Sequence, residues 1–372
     1  MIENKELKIN IPCHWNQQVL NEICSRNQQA ITPVTEIYGV LANGGPVGHG
    51  RSPDAVVSVN QESAIKFRNE CRKNNLNFTY LLNAPFEFSK DKDATKKVDE
   101  YLDWIVNTFA TDAVTISSHE LMKHVRNRFP LLDIHISTIA AVKNVSDLEK
   151  YLDVSPNRVI PHHNLGKQFS DLEQLIKFGE KNNIDIELLV TESCLYDCPN
   201  RRAHYEYLAH ASKDSSFHTT CNSQKLKHPS ELLMAGGVIR PEDISLYGDM
   251  GVKYVKLSGR SKPSQWLSEV AEAYQNNKYN GNLIRLLGID PSLNSEDWIY
   301  LNNQALDGFI ANFPKDSSDE TKKTYCQKWI IDLYQTGDFK LNDQSSFKIT
   351  NQSLIIDVPG PRASQVIHQE NR

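Results

Sequence analysis

The chain has 372 residues, of which 39% are hydrophobic and 23% are charged; these ordinary values exclude a disordered chain, a collagen-like chain and a coiled-coil rod. Its 41 Lys and Arg residues against 46 Asp and Glu residues give a formal net charge of −5, which argues against broad, non-specific nucleic-acid binding. No apolar run approaches the roughly 20 residues of a membrane span. The first residues also lack the basic start and apolar core of a signal peptide. We therefore expect a cytoplasmic protein that does not bind membranes.

Short, nearly continuous apolar runs alternate with helical patterns along most of the chain. Such runs are typical of strands that are buried on both faces of a parallel sheet. The predicted strands are Val34–Tyr38, Phe78–Leu82, Ala113–Ile116, Ile134–Ser137, Arg158–Pro161, Ile184–Val190, Glu231–Met234 and Val252–Leu257. Eight strands alternating with helices over about 245 residues predict a (β/α)₈ barrel of the TIM type. A doubly wound open sheet is the alternative, because periodicity cannot show that a sheet closes.

Helical patterns follow most of these strands. In Asp93–Phe109 the apolar residues recur every three or four positions, which places them on one side of a helix. Asp171–Phe178 carries a similar stripe, and Pro241 suits the first turn of a helix.

The pattern divides the chain into four parts. They are an amino-terminal strand (Leu7–Ile11) and helix in residues 1–32, the barrel in 33–276, a mixed extension in 277–335, and a polar tail in 336–372.

The seven cysteines are an odd number in a large chain, so we predict free thiols, metal ligands or redox groups and not disulfides. Three of them lie at apolar positions and are expected to be packing residues, namely Cys13, Cys24 and Cys71. The other four are Cys194, Cys198, Cys221 and Cys326.

Cys194 and Cys198 lie on the loop that follows the sixth predicted strand, just before a helix that begins near Pro199. A helix N-terminus lowers the pKa of a thiol and favours the thiolate, which binds metals. Two ordinary cysteines are the alternative, because Cys-x₃-Cys is not a standard zinc spacing. A radical S-adenosylmethionine motif would need a third cysteine at position 201, which is Arg201.

Further ligands must come from outside this loop. Cys221, with His218 nearby, offers a third ligand, and Cys326 in the extension is the best candidate for the fourth. Four thiolates favour an iron–sulfur cluster or a structural zinc ion.

Polar residues concentrate after the predicted strands, where a parallel barrel has its reactive face. Glu192 and His163 are the predicted acid and base, because both project from strand ends. His162 adjoins His163, and neighbouring strand residues point to opposite faces, so we expect one histidine to face the substrate and the other to pack. Asn83 is a predicted substrate-binding residue.

Three cations, Arg240, Lys256 and Arg260, follow the last two predicted strands. Together they predict binding of a phosphate or carboxylate group of the substrate. The alternative is that they pair with Glu192 and Glu36 to stabilise the barrel.

The glycine-rich segment Gly44–Gly50 has two interpretations. It is either a phosphate cradle formed by backbone N–H groups or a plain mobile loop.

These segments resemble a known family. Ile186–Cys194, continued through Cys198 to Tyr205, is similar to the signature region of the collagenase-like peptidases, family thirty-two among the peptidases of unknown type. Ile239–Asp243 together with Gly251–Arg260 resembles a later element of that family. Glu36–Gly39 and Tyr80–Asn83 also fit, so that the resemblance covers about residues 33–335.

The resemblance implies a barrel and a [4Fe–4S] cluster held by four cysteines. Several relatives are similar to oxygen-independent hydroxylases or their partners, which act on ubiquinone precursors, transfer RNA or ribosomal RNA. This chain departs from the family pattern in the short Cys194–Cys198 spacing and in the distant Cys326, which leaves the fourth ligand open.

The leading hypothesis is an iron–sulfur barrel enzyme that acts on an anionic small molecule or a modified nucleotide. The main alternative is a non-catalytic subunit that holds zinc or a structural cluster and works with a partner protein of the same family. A peptidase ranks third, because no Gly-x-Ser-x-Gly or His-Glu-x-x-His motif is present. Cys194 would then be the nucleophile, with His163 or His204 as its base.

Overall fold

Eight parallel strands close into a barrel in chain order. The computed structural model describes residues 6–51, 53–88, 91–210, 221, 224–225, 227–287, 299–341, 347–350 and 353–356. The barrel strands are β1 (Lys8–Pro12), β2 (Val34–Gly39), β3 (Asn77–Leu82), β4 (Ala113–Ile116), β5 (Asp133–Ile136), β6 (Arg158–Val159), β7 (Asp185–Leu189) and β8 (Tyr254–Lys256). The predicted (β/α)₈ fold is confirmed.

The set of eight strands differs from the predicted set in one member. The run predicted as a strand ahead of the barrel is β1, which pairs in parallel with both β2 and β8 and so closes the barrel. The prediction of Glu231–Met234 as a strand is wrong, since the helix Ser230–Met234 occupies that run. Its three consecutive apolar residues are all buried, and a short apolar run of this kind does not distinguish a strand from a buried helix.

Helices connect the strands. They are α1 (Gln17–Asn27), α2 (Gln61–Lys73), α3 (Lys92–Asp103), α4 (His119–Arg128), α5 (Val145–Glu149), α6 (Phe169–Asn182), α7 (Arg201–His210), α8 (Ser230–Met234), α9 (Ile244–Met250), α10 (Ser264–Gln275), α11 (Leu283–Leu286) and α12 (Asp319–Thr336). Several begin at a capping side chain: Asn16 accepts the backbone N–H of Val19 at α1, and Ser118 accepts that of Leu121 at α4.

The residues after the barrel pack on its side. β9 (Ile299–Leu301) pairs antiparallel with β10 (Phe339–Leu341), and α12 packs against α8 and β10. A second antiparallel pair joins β11 (Phe347–Thr350) to β12 (Ser353–Ile356). Within the described ranges, no helix has the length and apolar character that crossing a bilayer requires.

Candidate functional site

The barrel interior contains a compact set of charged side chains, which we call the interior network: Glu36, Arg158, Glu187 and Lys256. Arg158 donates from Nη2 to Glu36 Oε2 at 2.9 Å and from Nη1 to Glu187 Oε2 at 3.2 Å. Lys256 Nζ lies 3.4 Å from Glu187 Oε1. All four side chains are buried, and the two cations match the two carboxylates. The charges within the network are therefore balanced.

Two members of the interior network, Glu36 and Glu187, lie with His135 in a group that has the composition of a metal site. One ligand atom each of Glu36, His135 and Glu187 lie within 4.8 Å of one another, the one such trio found among the described residues. Burial, together with Arg158 and Lys256, lowers the pKa of His135 well below its usual value, so the imidazole is neutral. The two carboxylates already have two cations, however, and a divalent ion would add uncompensated charge in a buried place. We assign this trio to the barrel's stability.

A large open cavity lies at the end of the barrel formed by the carboxyl ends of the strands. Its volume is about 1050 Å³, and the loops that follow β2 to β7 all contribute to its lining. Representative lining residues from these loops are Val47, Phe86, Ser117, Ile139, His162 and Cys198. This is the face on which barrel enzymes bind their substrates. We call this end of the barrel the mouth.

The loop after β7 is fixed to its neighbours at the mouth. Thr191 forms a bridge with Val238, and the backbone N–H of Glu192 donates to the carbonyl of Gly237 at 2.9 Å. The Sγ–H of Cys194 donates to Glu192 Oε1 at 3.2 Å. Burial and the charge of Glu192 raise the pKa of the Cys194 thiol, so the lowering expected from a helix N-terminus is wrong for this residue.

Three of the four predicted ligand cysteines share one environment. Burial lowers the pKa of the Arg201 guanidinium. Nearby groups that include Tyr205, Cys194 and Cys198 raise it by more, so that the net shift is upward. Cys221 is close enough to Cys194 to influence its pKa, as is Lys225, whose Nζ donates to Ser193 Oγ at 3.1 Å. Cys194 and Cys198 therefore lie near Arg201 and Cys221 lies near Cys194, so the three thiols form one group. We call them the loop cysteines.

Cys326 lies in a different environment. It is fully buried on α12, which packs against α8. Burial raises its pKa to about 12, and the charged groups that influence it are Lys167 and Glu231. Neither is among the groups that shift the pKa of Cys194. His218, predicted near Cys221, lies outside the described residues.

The spacing of the sulfur atoms bears on the kind of metal centre. No three cysteine sulfurs of the described chain lie within 4.8 Å of one another. Four-coordinate zinc has bonds of about 2.3 Å to sulfur, so its ligands lie closer together than about 4.6 Å. An iron–sulfur cluster holds its thiolates on separate iron atoms and needs a wider arrangement. The described thiols are therefore not gathered at the spacing that a single zinc ion with three cysteine ligands requires.

The two predicted acid/base residues, Glu192 and His163, have different surroundings. Burial raises the pKa of Glu192, but Arg201, Arg51, the hydrogen bond from Cys194 and Lys225 outweigh it, so its pKa is lowered. Glu192 is therefore a carboxylate that can accept a proton. His163 is buried and donates from Nε2 to the carbonyl of Leu195 at 3.1 Å, whereas His162 lines the cavity.

Arg240 and Lys256 have acidic partners of their own. Arg240 donates to Asp243 at 2.7 Å and to Asp307 at 3.0 Å. Lys256 belongs to the interior network, with Glu187 and not Glu192 as its partner. The alternative of pairing for stability therefore accounts for these two cations.

Arg260 is the member of the predicted trio that lies at the mouth. It donates to the backbone carbonyl of His49 at 2.9 Å and to His49 Nδ1 at 3.2 Å. Its neighbour Arg51 was not predicted, although it directly follows the glycine-rich segment Gly44–Gly50. Asn83, the other predicted substrate residue, donates to Ser137 Oγ at 3.4 Å.

Comparisons with known proteins find one matching family model and several similar proteins. A family model described as Peptidase family U32 matches residues 55–283. Uncharacterized protease MJ1657 of Methanocaldococcus jannaschii is 28% identical over 291 residues, which cover 76% of this chain and 84% of that protein. The structure of the U32 peptidase Mk0906 superposes with a TM-score of 0.48 at 12% identity, covering 68% of this chain and 93% of that one. An uncharacterized B. cereus protein superposes with a TM-score of 0.36 at 10% identity, covering 83% and 81% of the two chains.

Proposed function

The chain belongs to peptidase family U32, and on this premise we propose that it is an iron–sulfur barrel enzyme. Its substrate is an anionic small molecule or a modified nucleotide that enters the mouth. Cys194, Cys198 and Cys221 hold the cluster, and the substrate binds beside them in the cavity. Cys326 as the fourth ligand stays a prediction, because its neighbours differ from those of the loop cysteines.

The observation that carries the proposal is the position of the loop cysteines. All three belong to the segment that follows β7. Cys194 and Cys198 lie near Arg201, Cys221 lies near Cys194, and Cys198 lines the open cavity. Thiols that serve only packing are expected at apolar positions, as Cys13 and Cys71 are. Thiols grouped beside cations at the reactive face of a barrel are instead suited to bind a metal centre.

The side chains around the thiols are suited to the change in charge that metal binding requires. Cys194 must lose its proton, and the carboxylate of Glu192 accepts its hydrogen bond and lies on the path of that proton. Arg201 and Lys225 then offset the negative charge of the thiolates. When bound, a cluster supplies redox or Lewis-acid chemistry. Glu192 is a base in direct contact with Cys194.

Absorbance spectra of the anaerobically purified protein test the proposal. We expect wild-type protein to show a thiolate-to-iron band near about 400 nm. Cys194→Ala should abolish this band. Cys24→Ala is the matched control, because Cys24 lies half-buried on α1 and should leave the spectrum unchanged. A colourless wild-type protein after anaerobic reconstitution with iron and sulfide would overturn the proposal.

A peptidase is the second candidate, favoured by the family's name and by the protease name of the M. jannaschii relative. The geometry gives it less support. The thiol of Cys194 is paired with Glu192, and the Nε2 of His163 is occupied by the carbonyl of Leu195. Alkylation of the thiols that abolished proteolysis and left bound iron intact would favour this candidate.

A further inference from the structure

Two arginines at the mouth have no carboxylate partner in the described part of the chain. Arg51 donates to the backbone carbonyl of Gly50 at 3.0 Å, and Arg260 donates to the backbone and ring of His49. Neither has an acidic oxygen within the 4.0 Å that defines an ion pair, unlike the buried cations Arg158, Arg240 and Lys256. In the described chain neither guanidinium group therefore has a paired carboxylate, although Arg51 is near enough to Glu192 to lower the pKa of that carboxyl.

These two guanidinium groups repel each other. Burial and the charge of Arg51 lower the pKa of Arg260 to about 9, although Tyr38 and Tyr205 partly oppose this shift. No cysteine contributes to it, whereas the guanidinium of Arg201 is influenced by Cys194 and Cys198. Arg201 thus provides positive charge beside the thiols, whereas Arg260 and its neighbour Arg51 are available to a different anionic group.

The backbone next to the pair is arranged to leave room. Gly48 and Gly50 have left-handed φ values of 79° and 62°, which side chains other than glycine rarely adopt. A side chain at Gly50 would also press on Ile139, which lines the cavity. Nearby, the buried Oδ1 of Asn83 has no hydrogen-bond partner among the described residues. The glycines thus leave space beside two arginines that have no acidic partner in the described chain.

We infer that Arg51 and Arg260 form an oxyanion subsite, which binds a carboxylate or phosphate group of the substrate. This inference rests on the proposed function only in assigning the anion to the substrate. Guanidinium groups bind carboxylate and phosphate oxygens through paired hydrogen bonds, and an anion here would remove the repulsion between the two arginines. The subsite replaces the predicted trio of Arg240, Lys256 and Arg260, of which only Arg260 is without an acidic partner.

Isothermal titration of the anaerobically purified full chain at low ionic strength tests the subsite. The probes are malonate and inorganic phosphate, with uncharged malonamide as the control ligand. We expect at least one anion to bind and malonamide not to bind. Arg260→Gln and Arg51→Gln should each raise the Kd about tenfold or more, since each removes hydrogen bonds between charged groups. The anion that binds more tightly identifies the group as carboxylate or phosphate.

Two further variants control for charge and for folding. Arg72→Gln makes the same change in net charge at an exposed position on α2 and should leave the Kd unchanged. Arg260→Lys keeps the charge without the paired donors and should fall between wild type and Arg260→Gln. If Arg260→Gln misfolds by circular dichroism, Arg51→Gln alone decides. Absence of anion binding by wild type, or equal Kd values for wild type and both glutamine variants, would overturn the inference.

The iron content of the same samples separates the two claims. Anion binding that depends on Arg51 and Arg260 in a protein unable to bind iron would support the subsite and contradict the cluster. Iron binding without anion binding would support the cluster and contradict the subsite.

Discussion

The interior and the mouth of the barrel both bury cations, and they differ in what the fold supplies to balance them. Inside, Arg158 and Lys256 meet Glu36 and Glu187, and the hydrogen bonds of Asn10 complete the set. At the mouth, Arg51, Arg201 and Lys225 all act on Glu192, and neither Arg51 nor Arg260 has an acidic oxygen within ion-pair distance in the described chain. The comparison teaches that burial of a charged residue does not by itself indicate function. The indication comes from a charge for which the protein provides no partner.

The largest expected effect is the loss of stability when an interior arginine is replaced by glutamine. The same substitution at the mouth should cause a much smaller loss. Arg158→Gln leaves Glu36 and Glu187 buried beside each other and should lower the free energy of unfolding by about 3–5 kcal/mol. Arg260→Gln removes one of two like charges and should cost no more than about 1.5 kcal/mol, the value of its lost hydrogen bonds. Urea unfolding of both variants measures the difference. Equal losses would show that the mouth is as tightly paired as the interior.

Acid should destabilise the protein through its buried histidines. Burial is the main cause that lowers the pKa of His135 and His163 well below the usual value, and that of His162 from 6.5 to about 3. In the window between these values the unfolded chain takes up protons that the folded chain does not. Stability therefore falls as the pH decreases from 6.5, by up to about 1.4 kcal/mol per pH unit for each histidine.

Urea unfolding across this pH window measures the slope. His162→Asn should reduce the slope by the contribution of one proton. A stability that does not change between neutral pH and pH 5, a point inside the window of about 6.5 to 3, would contradict this account of the histidines.

Cys326→Ala should have the smallest effect. Cys326 is buried with Lys167 and Glu231 as its charged neighbours, so we expect the variant to lose about 1 kcal/mol of stability. Urea unfolding measures this loss, and iron analysis is done beside it. Loss of iron would support Cys326 as the fourth ligand, as the sequence predicts, whereas a full iron content would contradict that prediction.

The fold was predictable because the barrel strands are short apolar runs between helical patterns. The errors fell where local pattern is ambiguous. Glu231–Met234 has the composition of a buried strand but forms α8, and Leu7–Ile11 is a strand whose place in the barrel depends on pairing with β8, far along the chain. Periodicity indicates an element and does not show which neighbour it meets.

The candidate site was predictable where its residues are close in sequence. Glu192, Cys194 and Cys198 lie on one loop, and the structure keeps them together with Arg201. The cations were not predictable in the same way, because their roles depend on partners brought by the fold. Arg240 is neutralised by Asp307, 67 positions away, while the described fold brings no acidic oxygen within ion-pair distance of Arg51.

The amount of iron and acid-labile sulfide in anaerobically purified wild-type protein tests the central claim most directly. A cluster held by the loop cysteines predicts about four iron and four sulfide per chain. A protein that contains neither after anaerobic reconstitution, while remaining folded, would contradict the assignment of the mouth as an iron–sulfur site.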